Sequence, residues 1–293
     1  MSEYCSQNLN PSSFNADSSW VVLSPIEKRI KERIEKIGKP LKDWDINIYR
    51  GILTGYNEAF IIDGKTKDAL IAKSAKNAEI IRPILRGRDI KRYRADFADL
   101  WIIATFPSMN YNIDDYPAIK EHLLSFSYDR LKQTGEPGAR KKTNNQWFET
   151  QDSISYWDDF SKQKIVWADL ARTGNAFTYD DTKAIVLNTC YILTNTADDE
   201  SEIKYLLAML NSKLILFYMN LISSKLDETG WRWFKQFVEI LPIANIIDNS
   251  VFLGLIDKIT NSTTNALENE INKLVYSLYG LSEDEVAFIE LVL

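Results

Sequence analysis

Four cations fall within the eight residues Arg86-Gly87-Arg88-Asp89-Ile90-Lys91-Arg92-Tyr93. Guanidinium groups grip phosphate or the guanine edge through paired N–H donors, an ammonium neutralises phosphate as a point charge, and glycine lets backbone approach a partner closely. Over residues 64–95 there are ten basic side chains (Lys65, Lys67, Lys73, Lys76, Arg82, Arg86, Arg88, Lys91, Arg92, Arg94) against three acidic ones (Asp68, Glu79, Asp89). A charge run is ordinarily a solvated face. Here it stands out because the whole chain carries a net charge of -6. A second cluster, Arg140-Lys141-Lys142, runs into Thr143-Asn144-Asn145-Gln146, whose amides match adenine edges as guanidinium matches guanine. Arg172-Thr173-Gly174-Asn175, between two strand-like runs, adds a guanidinium and an amide at an expected loop tip. The resulting expectation is phosphate contact by Arg86, Arg88, Lys91, Arg92, Arg140, Lys141 and Lys142, and base reading by Asn144, Asn145, Gln146, Arg172 and Asn175. Trp147, Phe148, Tyr156 and Trp157 follow the second cluster closely enough to serve as stacking platforms, although aromatic residues mostly build cores.

Catalytic patterns are missing from the sequence. No phosphate-binding Gly-x-x-x-x-Gly-Lys loop, Gly-x-Ser-x-Gly elbow or His-Glu-x-x-His helix occurs, nor the Asn/Asp-Pro-Pro-Tyr/Phe tetrad with which amino-methyltransferases hold a target amine. Cys5, Cys190 and the single His122 cannot make up a zinc or Cys/His catalytic set, so neither a catalytic nor a metal site is expected. Aspartate pairs at 114–115, 158–159, 180–181 and 198–199 adjoin expected turns and helix starts, where carboxylates cap amides. Their alternative use is a magnesium-dependent nuclease built on Asp158, Asp159 or Asp180. No stretch has the order of a signal peptide, so a cytoplasmic, bacterial or archaeal protein is expected. The most apolar window, Tyr205 to Ile222, is broken by Asn211, Ser212 and Lys213, which makes it a core helix and excludes a membrane partner.

The elements that must position these residues follow from period and punctuation. Ser24 and Glu27 form a capping box that opens a helix over 25–37. Strand-like runs follow at 46–53, 59–62, 69–72 and 100–105. A helix is expected from Pro117 to Lys132, a polar loop over 135–146, and strands at 164–169, 176–179 and 184–194. Helical period returns from Asp199 through Phe217, around 231–238, and over 251–279, with a last capping box at Ser282 and Glu285. The fold class is α+β: a twisted, mostly antiparallel β-rich domain with flanking helices and a helical C-terminal extension. Its expected divisions are an N-terminal extension at 1–19, a recognition domain at 20–245 and the extension at 246–293.

Six ordered segments together resemble the TaqI-like C-terminal specificity domain of adenine-N6 DNA methyltransferases, especially those in type IIG restriction-modification enzymes. They are residues 47–63, with Arg50-Gly51-Ile52-Leu53-Thr54-Gly55-Tyr56-Asn57-Glu58-Ala59-Phe60-Ile61-Ile62-Asp63, then Ile81 to Tyr93 with Gly87-Arg88-Asp89-Ile90-Lys91-Arg92-Tyr93, Trp147-Phe148-Glu149-Thr150-Gln151, Lys164-Ile165-Val166-Trp167, Leu206 to Leu214, and Leu274 to Leu281. The resemblance implies a target-recognition module that clamps double-stranded DNA, reads the major groove and is itself non-catalytic. It also implies methyltransferase or nuclease domains elsewhere, in cis or as a partner subunit, with S-adenosylmethionine and Mg²⁺ as their cofactors and none in this chain. A chain starting directly before that segment is expected to be a fragment or a stand-alone recognition subunit. A further alternative is a protein-interaction subunit whose tail helices dock a catalytic partner.

Overall fold

The computed structural model describes residues 23–172, 174–223 and 230–293. The expected extension at 1–19, with Cys5, lies outside these, as do Thr173 and the first residues of the expected recognition domain. Helix α1 (Pro25–Ile37) carries the expected capping box, with the Ser24 side chain accepting from Glu27 and the Glu27 carboxylate accepting from the Ser24 backbone. Ile30 and Ile34 form its buried stripe. Strand β1 (Gly38–Pro40) follows, then β2 (Ile46–Arg50).

The central sheet has the order β2-β10-β6-β8, all antiparallel, where β6 is Lys164–Ala168, β8 Phe177–Asp180 and β10 Cys190–Asn195. Every residue of β10 is buried, because both faces of the sheet are covered. Alternation divides them. Tyr191 and Leu193, with Ile165, Trp167 and Ile48, face a helical core, whereas Cys190, Ile192 and Val166 face a second core. That second core also contains the sheet β3-β5-β4-β9, in which β3 is Ile61–Asp63, β4 Ile81–Leu85, β5 Leu100–Ile103 and β9 Ile185–Val186. Its β4–β9 pair is parallel.

Gly51 lets the chain pass from one sheet to the other. A Cβ there would stand 2.1 Å from the Leu187 carbonyl oxygen, inside a backbone crossing where Gly51 N donates to Cys190 O at 2.8 Å and Ile52 N to Val186 O at 2.8 Å. Gly51→Ala is therefore expected to force the strands apart and cost about 2–3 kcal/mol, read as a lowered urea midpoint. An unchanged midpoint would mean that the crossing yields without strain.

The mostly antiparallel α+β architecture is as expected, while several element types differ. Helix α2 (57–60) takes the first half of the strand expected at 59–62, whose second half survives as β3, and the strand expected at 69–72 lies within helix α3 (64–73). The Asp63 side chain caps α3 through Thr66 N, and Lys65, Lys67, Ala69, Leu70, Ala72 and Lys73 supply good helix formers along it. The helix expected over 117–132 is split into α4 (Pro117–Leu124) and α5 (Tyr128–Leu131) at Ser127, whose φ is +75°. Similarly, α6 (Glu200–Leu210) and α7 (Lys213–Ile222) are separated by a 64° bend. The bend is fixed by polar groups. The Asn211 amide donates to Phe177 O and its carbonyl accepts from Phe177 N, while the Ser212 hydroxyl caps α7 through Ile215 N. Among the described residues no single helix is long and apolar enough to cross a membrane; this bent pair meets the length and composition alone, and its apolar residues form the core.

Residues 231–238 give a short strand β11 (Trp231–Arg232), paired with β7 (Leu170–Ala171), before helix α8 (Lys235–Val238). Strand β12 (Pro242–Ala244) pairs with β1. The C-terminal helices α9 (Ser250–Asn261), α10 (Asn265–Leu278) and α11 (Glu283–Val292) bury Ile256, Ile271, Val275, Tyr279 and Ile289 in the same core as α6 and α7. The expected extension is thus packed into the body of the fold.

Candidate nucleic-acid interface

One end of the central sheet collects the basic segment. Antiparallel pairing sets Arg50 opposite Tyr191, Ala168 opposite Cys190, and Phe177 opposite Trp167, so the end of β2, the end of β6 and the starts of β8 and β10 meet there. Arg86-Gly87-Arg88 lies across that end: a Cβ on Gly87 would be 3.3 Å from the Ala168 Cβ and 3.9 Å from the Thr189 Oγ1. The closeness that glycine permits is therefore to the sheet itself. An open cleft of about 530 Å³ is lined by Asn57, Glu58, Arg86, Gly87, Arg88, Leu187 and Thr189, bringing together two segments thirty residues apart in sequence.

Within the basic segment the cations divide by what they touch. Arg88 is exposed and makes no ion pair among the described residues, and Lys91 is exposed with its ammonium donating to the Arg88 carbonyl at 3.0 Å. Arg86 is committed to Asp89, through Nε at 2.9 Å and Nη2 at 2.7 Å. Arg92 is turned inward, bonded to Glu268 at 3.0 Å and to the Asn211 carbonyl, and so ties the segment to α10. Burial raises the Asp89 carboxyl, but its bonds from the Arg86 side chain and backbone outweigh this and hold the pKa below its usual value.

A depressed carboxyl stabilises the fold above its unfolded value, near pH 4, and the contribution is lost as pH falls through the folded value. Asp89→Asn should therefore lower stability by about 2 kcal/mol at neutral pH. The difference should close on acidification in urea titrations at successive pH values. A constant difference down to pH 2 would remove the Arg86–Asp89 clamp from the account.

The second cluster sits on the polar loop between α5 and β6, and only part of it faces outward. Lys141, Lys142, Asn144 and Gln146 are exposed, around a shallow hollow of about 250 Å³ whose walls include Lys132, Trp147 and, of these four, Asn144 and Gln146. Asn145 is half-buried, its amide donating to the carbonyls of Thr150 and Gln151 at 3.2 and 3.0 Å. Arg140 departs from its expected role altogether. It is 4% exposed, and its guanidinium donates to the carbonyls of Leu131, Thr54, Glu149 and Trp147 at 2.8, 2.9, 2.7 and 2.6 Å. Burial lowers its pKa to about 10, which still leaves it a cation at neutral pH. A phosphate could reach it only by displacing four carbonyls. Through Thr54 it ties this loop to the turn at Gly55, whose φ of +77° suits glycine, and so to Asn57 and Glu58 in the cleft.

Arg172 is exposed at its loop tip. Asn175 is buried, its amide donating to the carbonyls of Leu210 and Ser212 at 2.8 and 3.0 Å, so it braces the bend between α6 and α7 instead of facing a base. The stacking platforms are mostly spent internally: Tyr156 stacks on Tyr49 with centroids 4.3 Å apart, and Phe148 is buried. The residues missed in the sequence are Arg50, Asn57, Glu58 and Thr189. Asn57 and Glu58 follow the turn at Thr54-Gly55, a usable signal, whereas nothing local places Thr189 beside Gly87.

Of the carboxylates in the alternative nuclease, Asp158 is exposed, whereas Asp159 is bonded to Lys162 and Thr194, and Asp180 to Lys164, Thr182 and Ala184. Asp159 and Asp180 are thus already engaged, and among the described residues no three Cys, His, Asp or Glu side chains are grouped as metal ligands.

A model of the TaqI-like C-terminal specificity domain matches residues 82–243, more than half of the chain. The fold is similar to that of the type IIG restriction endonuclease BpuSI, with a TM-score of 0.55 and 14% identity over 87% of this chain and 33% of BpuSI. It is also similar to the type IIL restriction-modification enzyme MmeI, solved in complex with DNA, with a TM-score of 0.52 and 11% identity over 85% of this chain and 35% of MmeI. At such identities the likeness is one of fold, and the chain spans about a third of each enzyme. No curated protein matches it in sequence.

Proposed function

This chain belongs to the TaqI-like C-terminal specificity domain family, and from that premise we propose that it binds double-stranded DNA and reads a short sequence in it. In this reading it is the non-catalytic recognition part of a restriction-modification enzyme, and it positions a separate adenine-N6 methyltransferase or nuclease. S-adenosylmethionine and Mg²⁺ would serve those catalytic domains. The observation that carries the reading is the cleft at the end of the central sheet, where the segment around Asn57 meets the family-matched segment around Arg88, beside exposed Arg88 and Lys91.

The side chains take different parts by exposure. Arg88, Lys91, Lys141 and Lys142 contact phosphate, while Asn144, Gln146 and Arg172 face base edges. Arg86 keeps the segment in shape and contacts phosphate only through the part of its guanidinium that Asp89 leaves open. Each phosphate neutralised releases counterions, so affinity falls with salt in proportion to the number of such contacts. Alanine at both Arg88 and Lys91 should weaken duplex binding and reduce the slope of log K against log salt by about two. Fluorescence anisotropy over a salt series measures this, and an unchanged slope would sink the phosphate role. Plasmid incubated with the chain and Mg²⁺ should stay intact; nicking would favour a nuclease instead.

A further inference from the structure

We propose that Arg50 is a specificity-determining residue whose guanidinium reads a guanine edge, with Asp169 as its positioning residue; this rests on the DNA-reading function above. Arg50 is the last residue of β2, at the end of the sheet where Arg86-Gly87-Arg88 lies. Its backbone is fixed on both sides, by pairing with Tyr191 and by the Tyr156 hydroxyl donating to its carbonyl at 2.9 Å. The side chain is held as well. Nε–H donates to the carbonyl of Asn188, a residue between the cleft-lining Leu187 and Thr189, and Nη2 stands 3.9 Å from the Asp169 carboxylate. Asp169 is itself anchored, its N–H donating to Thr189 O and its carbonyl accepting from Trp233 N, both at 2.9 Å. Burial raises the Asp169 carboxyl and Arg50 opposes that rise.

The geometry leaves the outer edge of the guanidinium open. The Arg50 side chain is 56% exposed, and the contacts on it engage Nε and one side of Nη2. An arginine presents five donors in a rigid fork, so the remaining Nη1 and Nη2 hydrogens form the pair that fits O6 and N7 of guanine. The electrostatics separate this role from a phosphate clamp. A carboxylate 3.9 Å away offsets the arginine's charge and would repel a phosphate, whereas the base acceptors are neutral and respond to donor direction. Arg88, exposed and without an ion pair among the described residues, has the opposite character. A reader on a strand end with two restraints also holds its direction better than one on a free loop.

The test is selection of bound duplexes from a random-sequence pool with the full chain, its Arg50→Ala, Arg50→Lys and Asp169→Asn variants, and salt series on the selected sites. The wild type should enrich a short site containing a guanine. In Arg50→Ala the preference at that one position should fall about tenfold or more while the other positions and the salt slope persist. Arg50→Lys keeps the charge but not the fork and should fail in the same way, which also secures the test if the alanine variant folds poorly. Asp169→Asn should blur the same position and no other. An unchanged site in the arginine variants, or a uniform loss with a salt slope smaller by about one, would overturn the inference while leaving DNA reading intact. Failure of the wild type to enrich any site would overturn both.

Discussion

Replacing Arg140 by methionine is expected to cost about 3–5 kcal/mol of stability, because hydrogen bonds to a charged group are worth roughly 1.5–3 kcal/mol each and add incompletely. The four carbonyls that the guanidinium satisfies come from Leu131, Thr54, Trp147 and Glu149, so the loss would open the polar loop, the turn after β2 and the end of α5 at once. Methionine fills part of the volume but donates nothing to these buried acceptors. The measurement is urea unfolding, with duplex binding by the variant at temperatures where it remains folded. A phosphate contact without this structural role would instead weaken binding while leaving stability unchanged. Because Lys141 and Lys142 adjoin Arg140, the variant should also misplace those two ammonium groups and bind duplex more weakly, so the loss of stability is the readout that separates the two roles.

Asp180→Ala is the second large effect. Lys164 is fully buried and its ammonium meets the Asp180 carboxylate at 2.5 Å; burial holds the Lys164 pKa below its usual value, with Asp180 opposing that fall. Removing the carboxylate leaves a buried cation unpaired, an expected loss of about 3–5 kcal/mol. Alanine also frees Thr182 and Ala184, whose N–H groups Asp180 accepts. The pH dependence has a definite sign. With its partner gone, Lys164 binds its proton more weakly folded than unfolded, so the unfolded state holds more protons and stability rises with pH through that window. The variant should therefore recover as pH approaches the free lysine value near 10.4, and Lys164→Met in the same chain should restore much of the loss at neutral pH. A catalytic Asp180 would instead yield a variant as stable as the wild type but unable to cleave DNA.

What could be read in the sequence was whatever rests on neighbours along the chain. The capping boxes at Ser24 and Ser282 carry their own partners three residues on, and both form. Proline at the start of α4 and the β-branched runs of β6 and β10 are equally local. The missed features depend on distant partners. Ile81–Leu85 contains a proline and shows little strand pattern, yet it pairs with β5 and, in parallel, with residues a hundred positions later. Asn211 and Ser212 mark a bend because Phe177 and the start of α7 use their side chains, which no period reveals.

The same contrast governs the candidate site. Arg88 and Arg140 are identical in type and both lie in basic clusters, but one is exposed and the other is enclosed by four carbonyls. Carbonyls are present at every residue and leave no signature in composition, so burial of a guanidinium among them is invisible until the chain is folded. Asn175 was misplaced for the same reason. Arg50, by contrast, lies alone in sequence beside apolar strand residues, and only the pairing of β2 with β10 carries it to the basic end of the sheet.

Duplex DNA with one preferred short sequence is the ligand proposed for this fold. The most direct measurement is the affinity of the purified chain for the best duplex selected from a random pool, compared with an unrelated duplex of equal length across a salt series. Binding to the selected duplex should be tighter at every salt concentration, with both affinities falling as salt rises. Equal affinity for the two duplexes, or binding insensitive to salt, would contradict that proposal.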